Sequence, residues 1–346
     1  MNLKRLATIF LTLVLICLSS PAISCTIFST KLEDGTILVG NNEDYMYSII
    51  NYMVVTAPSE DNYGRICFYN SSFVQGGMNE HGLFYDGASC PSTKVPYDSN
   101  KKQLDYNLGD VVLAKCTSVE EVEKFFDDYN IPNNFCDHIL FADSTGASAV
   151  FEWMEGKLHI IRKGHDENYQ VVTNYWLTDP SLGGYPCDRY NTAVDLLQKQ
   201  LPSIELCATI LNATKQNWGE GGTLYSNIYN LSSKEIYVFS RGEMNTACKI
   251  DMNKQFKSIE AGAQERYDLS KLTFDTQIAI SSLDKKNPQE THSSTPMPKS
   301  GGNIETAVIS STQGNIQSHN GLYWIFGIGI TLLIVFAIVK ALKTKK

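Results

Sequence analysis

Residues 25–45 read CTIFSTKLEDGTILVGNNEDY. Two apolar-rich segments, 26–31 and 36–40, flank the tetrapeptide Leu32-Glu33-Asp34-Gly35. The pattern predicts a β-hairpin, with Gly35 in the permissive turn position. In such a hairpin Cys25 opens an interior strand and Asp44 lies just past the end of its partner. The two then approach each other across the hairpin, where an anion holds and orients the charged form of an amine.

What precedes Cys25 gives it a second meaning. MNLKR is a charged start and ATIFLTLVLICL an apolar run, too short to span a bilayer, so residues 1–24 read as a signal peptide. Ala22 and Ser24 stand at the −3 and −1 positions of a cleavage site. A cut after Ser24 leaves a thiol and a free α-amine on one residue, a nucleophile that carries its own base. An α-amine titrates at about 7.7–8.0 and a free thiol near 8.5, both close to working pH. The same position also fits the lipid acceptor of a lipoprotein, or half of a disulfide.

The formal net charge is −8, unevenly spread. The leader and the last seven residues carry bases and no acid, so the part between has 23 basic residues against 37 acidic. That acidic body argues against a nucleic-acid partner, which needs clustered Lys and Arg. Export predicts an oxidising compartment and one to three disulfides among Cys67, Cys90, Cys116, Cys136, Cys187, Cys207 and Cys248. The six histidines lack metal-ligand spacing, so no structural zinc is expected.

Further along, the glycine-rich run QGGMNEHGLFYDGASCPS (75–92) reads as a tight turn and a short strand, with glycines of the kind that allow close approach to a ligand. Residues 104–130 have a helical pattern; Ser118 and Glu121 form a capping box, and Val119, Val122, Phe125, Phe126 and Tyr129 share one face. Residues 136–162 read as an antiparallel meander turning at Asp143–Gly146 and at Glu155-Gly156, and YQVVTN as a strand ending at Asn174. Residues 188–200 and 203–215 read as helices separated by Pro202, and 222–240 as a hairpin. Asn70, Asn212 and Asn230 open glycosylation sequons.

Beyond residue 283 the chain turns polar and rich in Ser, Thr, Gly and Pro, which reads as a flexible stalk over 284–320. The uncharged run at 322–339 would make a helix about 27 Å long, near the bilayer core of about 30 Å. The expectation is a transmembrane helix over 321–342 and a Lys-rich cytosolic tail over 343–346, which is single-pass type I topology with the body extracytoplasmic.

Five stretches, in order over roughly 25–245, together resemble one family. They are Cys25-Thr26 with its strand and GNNEDY, GGMNEHGLFYDGAS, VVTN at 171–174, DRY at 188–190, and TLYSNIYNLSSKEIYVF. They are similar to the choloylglycine hydrolase and penicillin V acylase group of linear-amide hydrolases, N-terminal nucleophile (Ntn) enzymes. The resemblance implies an α+β fold, a four-layer αββα sandwich over 25–283. It implies Cys25 as nucleophile, Asp44 as the acid holding its amine, Asn174 as oxyanion donor and Arg189 as the nearby arginine. Ser89 and Asn42 stand where backbone groups would meet the substrate, Ser89 replacing the family's asparagine. Asn41 replaces the arginine of the family's GRN motif. The expected substrate is a small N-acyl amide, opened through an acyl-thioester without metal or cofactor, with acyl transfer to an amine as a close variant. Two rival readings remain: a membrane-anchored binding protein with a blocked Cys25, and a Cys–His hydrolase using His81.

Overall fold

A computed structural model of the chain describes residues 25–91, 93–104, 107–131, 137–281 and 305–306. The expected signal peptide, the transmembrane run, the cytosolic tail and most of the stalk lie outside the described residues. Among the described residues no helix is long and apolar enough to cross a membrane.

The hairpin that opens the domain forms as its sequence predicts, with a longer second arm. Strand β1 is Thr26–Lys31 and β2 is Ile37–Met46. Their turn closes with Gly35 donating to the Leu32 carbonyl at 3.0 Å and Thr36 N–H to Asp34 Oδ1 at 2.9 Å, and Gly35 takes φ +88°. Asp44 therefore lies inside β2, where the sequence reading put it beyond the strand. Polar residues argue against a buried strand, but partners elsewhere take up many of their polar atoms here, so pairing continues.

The strands β3 (Asn51–Thr56), β4 (Arg65–Asn70), β5 (Phe73–Asn79) and β6 (Phe84–Ser89) follow as an antiparallel run. A short parallel pair, β7 (Lys102–Gln103) and β8 (Tyr129–Asn130), brackets helices α1 (Leu108–Lys115) and α2 (Val119–Asp128). The helical stretch is thus two helices, and Tyr129 falls just beyond the second. Ser118 caps α2 by accepting from Glu121 N–H at 3.3 Å, while the Glu121 carboxylate reaches back to Thr117. The meander is β9 (Asp137–Ala142), β10 (Ser148–Met154) and β11 (Lys157–Arg162), and β12 (Tyr169–Val172) follows it.

Helices α3 (Asp188–Lys199) and α4 (Ile204–Thr214) lead into the hairpin β13 (Gly221–Asn230) and β14 (Glu235–Ser240). The chain then adds β15 (Thr246–Asp251), α5 (Met252–Lys257), β16 (Gln264–Asp268) and β17 (Thr276–Gln277). A last two-residue strand, β18 (Glu305–Thr306), pairs with β11, inside the stretch read as stalk.

Two sheets result, one ordered β12-β1-β2-β13-β14-β15-β17 and the other β16-β3-β4-β5-β6-β9-β10-β11-β18. One core lies between them, built from residues such as Ile27, Val39, Phe68, Phe84 and Tyr229. A second buries α3 and α4 on the outer face of the first sheet, where Phe28 and Leu38 meet Leu197 and Ile210. A third buries α1 and α2 against the other sheet, where Phe141 and Phe151 meet Val112, Val122 and Phe126. The order of layers is helix, sheet, sheet, helix, as the resemblance implies.

The seven described cysteines, Cys25, Cys67, Cys90, Cys116, Cys187, Cys207 and Cys248, are all free, so the expected disulfides do not form among the described residues. The buried ones are divided among separate cores, which keeps most of them apart. Cys136 lies outside the described residues. The Asn70 sequon is also closed off in the fold, because its side chain is buried and donates to Glu43 Oε1 at 2.8 Å.

Gly82 and Gly35 both sit at positive φ in hairpin turns, but they differ in room. A Cβ on Gly82 would come within 2.2 Å of the Leu231 carbonyl oxygen, whereas one on Gly35 meets nothing within 4 Å. We expect Gly35→Ala to cost about 1 kcal/mol, from backbone strain alone, and Gly82→Ala roughly twice that or more. Urea unfolding midpoints check the order of the two.

Candidate active site

The candidate residues gather at one end of the first sheet. Cys25 begins β1, between β12 and β2, and is 4 % exposed. The β1–β12 ladder pairs Ile27 with Val172. Carried two steps further, that register puts Asn174 opposite Cys25. The β1–β2 ladder pairs Thr26 with Asn42, so the next step brings Glu43 and Asp44 alongside the thiol. The Asp44 backbone N–H lies beside the Cys25 sulfur and favours its anion.

Arg189, in the first turn of α3, ties the pieces together. Its Nη1 donates to the Cys25 carbonyl and to Thr26 Oγ1, the latter at 3.0 Å. Its Nη2 donates to Asn174 Oδ1 at 3.0 Å. The Asn174 amide is thereby oriented, and Nδ2 donates to the Ser89 carbonyl at 2.8 Å. One guanidinium thus links the start of β1, the end of the β12 segment and, through Asn174, the end of β6. Its fork suits this task, since each nitrogen addresses a different acceptor.

Asp44 is 0 % exposed. Its Oδ1 accepts from Thr223 Oγ1, supplied by β13 across the ladder. Its Oδ2 is buried with no hydrogen-bond donor. Burial raises its pKa to about 7, although the Thr223 hydroxyl and the Arg189 charge both pull it down. The Cys25 thiol is pushed well above its ordinary range, first by burial and then by the carboxylates of Glu43, Asp44 and Asp86, with only the Asp44 N–H opposing. Among the described residues no group of three or more potential ligands could hold a metal.

Asn42 belongs to the scaffold. Its Nδ2 donates to the Leu211 carbonyl and Thr214 Oγ1, both at 3.0 Å, and Ser226 donates to its Oδ1 at 2.6 Å. Its backbone lies between paired neighbours on β1 and β13, so its main-chain groups are taken up in the sheet. The glycine-rich run also serves the protein itself: a Cβ on Gly76 would come within 2.5 Å of Asp86 Oδ2, and one on Gly77 within 2.5 Å of the Ile66 carbonyl. His81 is excluded as a partner for Cys25. It sits in the β5–β6 turn, its ring edge-on to Tyr63, at the far end of β6 from Ser89. Roughly 17 Å of strand separates the two ends.

The sequence reading missed Thr223, Glu43, Asp86 and a second histidine, His138. Thr223 is revealed only by the β2–β13 register. His138 and Glu152 had a signal, since they fall opposite each other when the meander's strands are folded about Asp143–Gly146.

A sandwich of this layer order, with a cysteine opening a central strand, defines the Ntn-hydrolase fold. A family model described as acyl-coenzyme A:6-aminopenicillanic acid acyl-transferase matches residues 30–184. Penicillin V acylase from Agrobacterium tumefaciens superposes with a TM-score of 0.58 at 19% identity, over 75% of this chain and 100% of that one. A variant of conjugated bile acid hydrolase from Clostridium perfringens gives 0.57 at 22%, again over 75% and 100%. No curated protein matches the sequence. The chain shares the fold of penicillin V acylase and conjugated bile acid hydrolase over three quarters of its length.

The buried carboxyl of Asp44 makes a pH-dependent contribution to stability. In the unfolded chain it ionises near 3.8, in the folded one near 7, so its contribution is present at low pH and lost as the pH rises through about 7. In a chain that keeps the Ser24–Cys25 bond, Asp44→Asn should gain on wild type between pH 4 and 7, by on the order of 2–4 kcal/mol. Urea unfolding at pH 4, 6 and 8 reads this; a constant difference would contradict it.

Proposed function

We propose that the protein is an Ntn amidase that hydrolyses a non-peptide linear amide through an acyl-thioester on Cys25. The observation that carries this reading is the buried acceptor beside the thiol: Asp44 Oδ2 has no donor. A free α-ammonium on Cys25, made by cleavage after Ser24, is a donor of the right charge at the right residue. It would also lower the pKa of Asp44 and so keep that carboxylate ionised.

The raised thiol pKa argues for attack with concerted proton removal, because three acidic neighbours oppose a standing thiolate. The α-amine takes the proton as Sγ bonds to the carbonyl carbon. The negative oxygen of the tetrahedral intermediate accepts from Asn174 Nδ2, whose second N–H is not needed by Ser89. The C–N bond then breaks, and the leaving amine takes the proton from the α-ammonium. Water, activated by the same amine, attacks the thioester; the acid departs and the thiol is restored. Candidate substrates are N-acyl amino acids, acylated amines and β-lactam side chains. Relatives named for penicillin V and for conjugated bile acids favour this class.

The family model carries an acyltransferase's name, which supports a second reading in which an amine instead of water receives the acyl group. Both readings place the body on the extracytoplasmic side of a membrane, after loss of residues 1–24 and with 322–339 as anchor. That placement rests on the sequence.

Three outcomes are expected. The N-terminal peptide of the membrane-extracted protein begins with unmodified Cys25. Cys25→Ala abolishes turnover of an N-acyl amide panel that includes penicillin V, while the protein stays folded. Adding hydroxylamine diverts the acyl group to a hydroxamate, with the fraction diverted reporting hydrolysis against transfer. An N-terminus that starts upstream, or a Cys25 carrying lipid, would remove the base and sink the mechanism.

A further inference from the structure

We propose that His138 and Glu152 form a buried positioning pair that sets the aim of the Asn174 amide. The proposal rests on the reading of Cys25 and Asn174 given above. His138 lies on β9 and Glu152 on β10, one step past the paired residues Ile139 and Phe151, and both are 0 % exposed. His138 Nδ1 is 2.8 Å from Glu152 Oε1, and Nε2 contacts the Thr173 carbonyl.

Both partners of the ring are acceptors. A neutral imidazole has one N–H and would turn a lone pair towards one of them. Glu152 already accepts from Leu177 N–H at 2.8 Å, Thr178 N–H at 2.9 Å and the Thr178 hydroxyl at 2.5 Å, an environment for an ionised carboxylate. The geometry therefore calls for a doubly protonated His138 facing an ionised Glu152. Burial opposes both charges, yet each partner outweighs it for the other: with Cys90 and Glu152 beside it, His138 is raised to about 10, and with His138 and Thr178 beside it, Glu152 is lowered.

A buried ion pair is weak support for stability, because desolvation cancels much of its attraction. What this pair holds is more telling. His138 grips the carbonyl of the residue before Asn174. Glu152 grips the N–H groups of Leu177 and Thr178, just after it. His138 also stands opposite Ala88 in the β6–β9 ladder, next to Ser89, and the Ser89 carbonyl receives Asn174 Nδ2. One ion pair thus fixes both segments between which the Asn174 amide is held, and Arg189 fixes its oxygen from the other side. His138 has no proton to offer a substrate, since its Nε2 is closed by a backbone carbonyl. It acts through Asn174.

The test uses the mature enzyme and two readouts. One is kcat and KM on the best substrate of the amide panel. The other needs no substrate: octanal adds to the Cys25 thiol as a thiohemiacetal, the thiol proton passing to the aldehyde oxygen, and protects Cys25 from iodoacetamide. His138→Gln should lower kcat by about 10- to 100-fold with KM within about two-fold. It should weaken octanal protection by a similar factor and leave the alkylation rate without octanal unchanged. In an Asn174→Ala background the same substitution should cost nothing further, which a general loss of structure would not produce. Unchanged kcat and octanal protection in folded His138→Gln, or losses that add to those of Asn174→Ala, would overturn the proposal. If His138→Gln does not fold, Thr178→Ala removes one donor from Glu152 and should give a smaller loss, about 3-fold, with the same non-additivity; no loss there overturns it equally. If Asn174→Ala itself leaves both readouts unchanged, the oxyanion reading fails first, and that result is distinct from a failure of His138 alone.

Discussion

Strand β2 carries Gly40-Asn41-Asn42-Glu43-Asp44 through the middle of the molecule, buried on both faces. A polar group buried without a partner costs on the order of 1–3 kcal/mol, more if charged. Much of the surrounding architecture answers that demand. β13 pairs with the whole arm and brings Ser226 to Asn42 and Thr223 to Asp44. α4 supplies the Leu211 carbonyl and Thr214 hydroxyl, and β4 in the opposite sheet supplies Asn70 to Glu43. The two sheets and the helix layer are thus joined through one polar strand, and its end lies beside Cys25.

The charges at that end are divided by side. Glu43, Asp44 and Asp86 surround the thiol and disfavour its anion. The Arg189 guanidinium lies on the backbone side, on the Cys25 carbonyl and the Asn174 amide oxygen. In the proposed reaction this arrangement suits a thiol that gives up its proton during attack. It does not suit a resident thiolate–imidazolium pair, and its buried histidine is turned away from the sulfur to a backbone carbonyl and a carboxylate.

Local periodicity made most of the elements legible. The hairpin at Gly35, the capped helix after Ser118, the meander after residue 136 and the helices around Pro202 each follow from short-range chemistry that no tertiary contact overrides. The errors concern features that local sequence does not carry. The second arm of the hairpin was cut short because polar residues normally end a buried strand. The disulfides were expected from compartment and number, which say nothing of where the thiols lie. His81 is close in sequence to a glycine-rich motif, yet the length of β6 separates it from the site, which only the far end of that strand reaches.

By itself the sequence determined most of the segments that become strands and helices, and the order in which Cys25, Asp44, Asn174 and Arg189 occur. These are local properties, set by turn residues and side-chain alternation. Only the tertiary structure decided what surrounds them: Thr223 on Asp44, the three acids on the thiol, and His138 with Glu152 behind Asn174. Those contacts depend on strand register between segments far apart in the chain. A shift of one residue would turn each of these side chains to the opposite face, and no short window of sequence contains that choice.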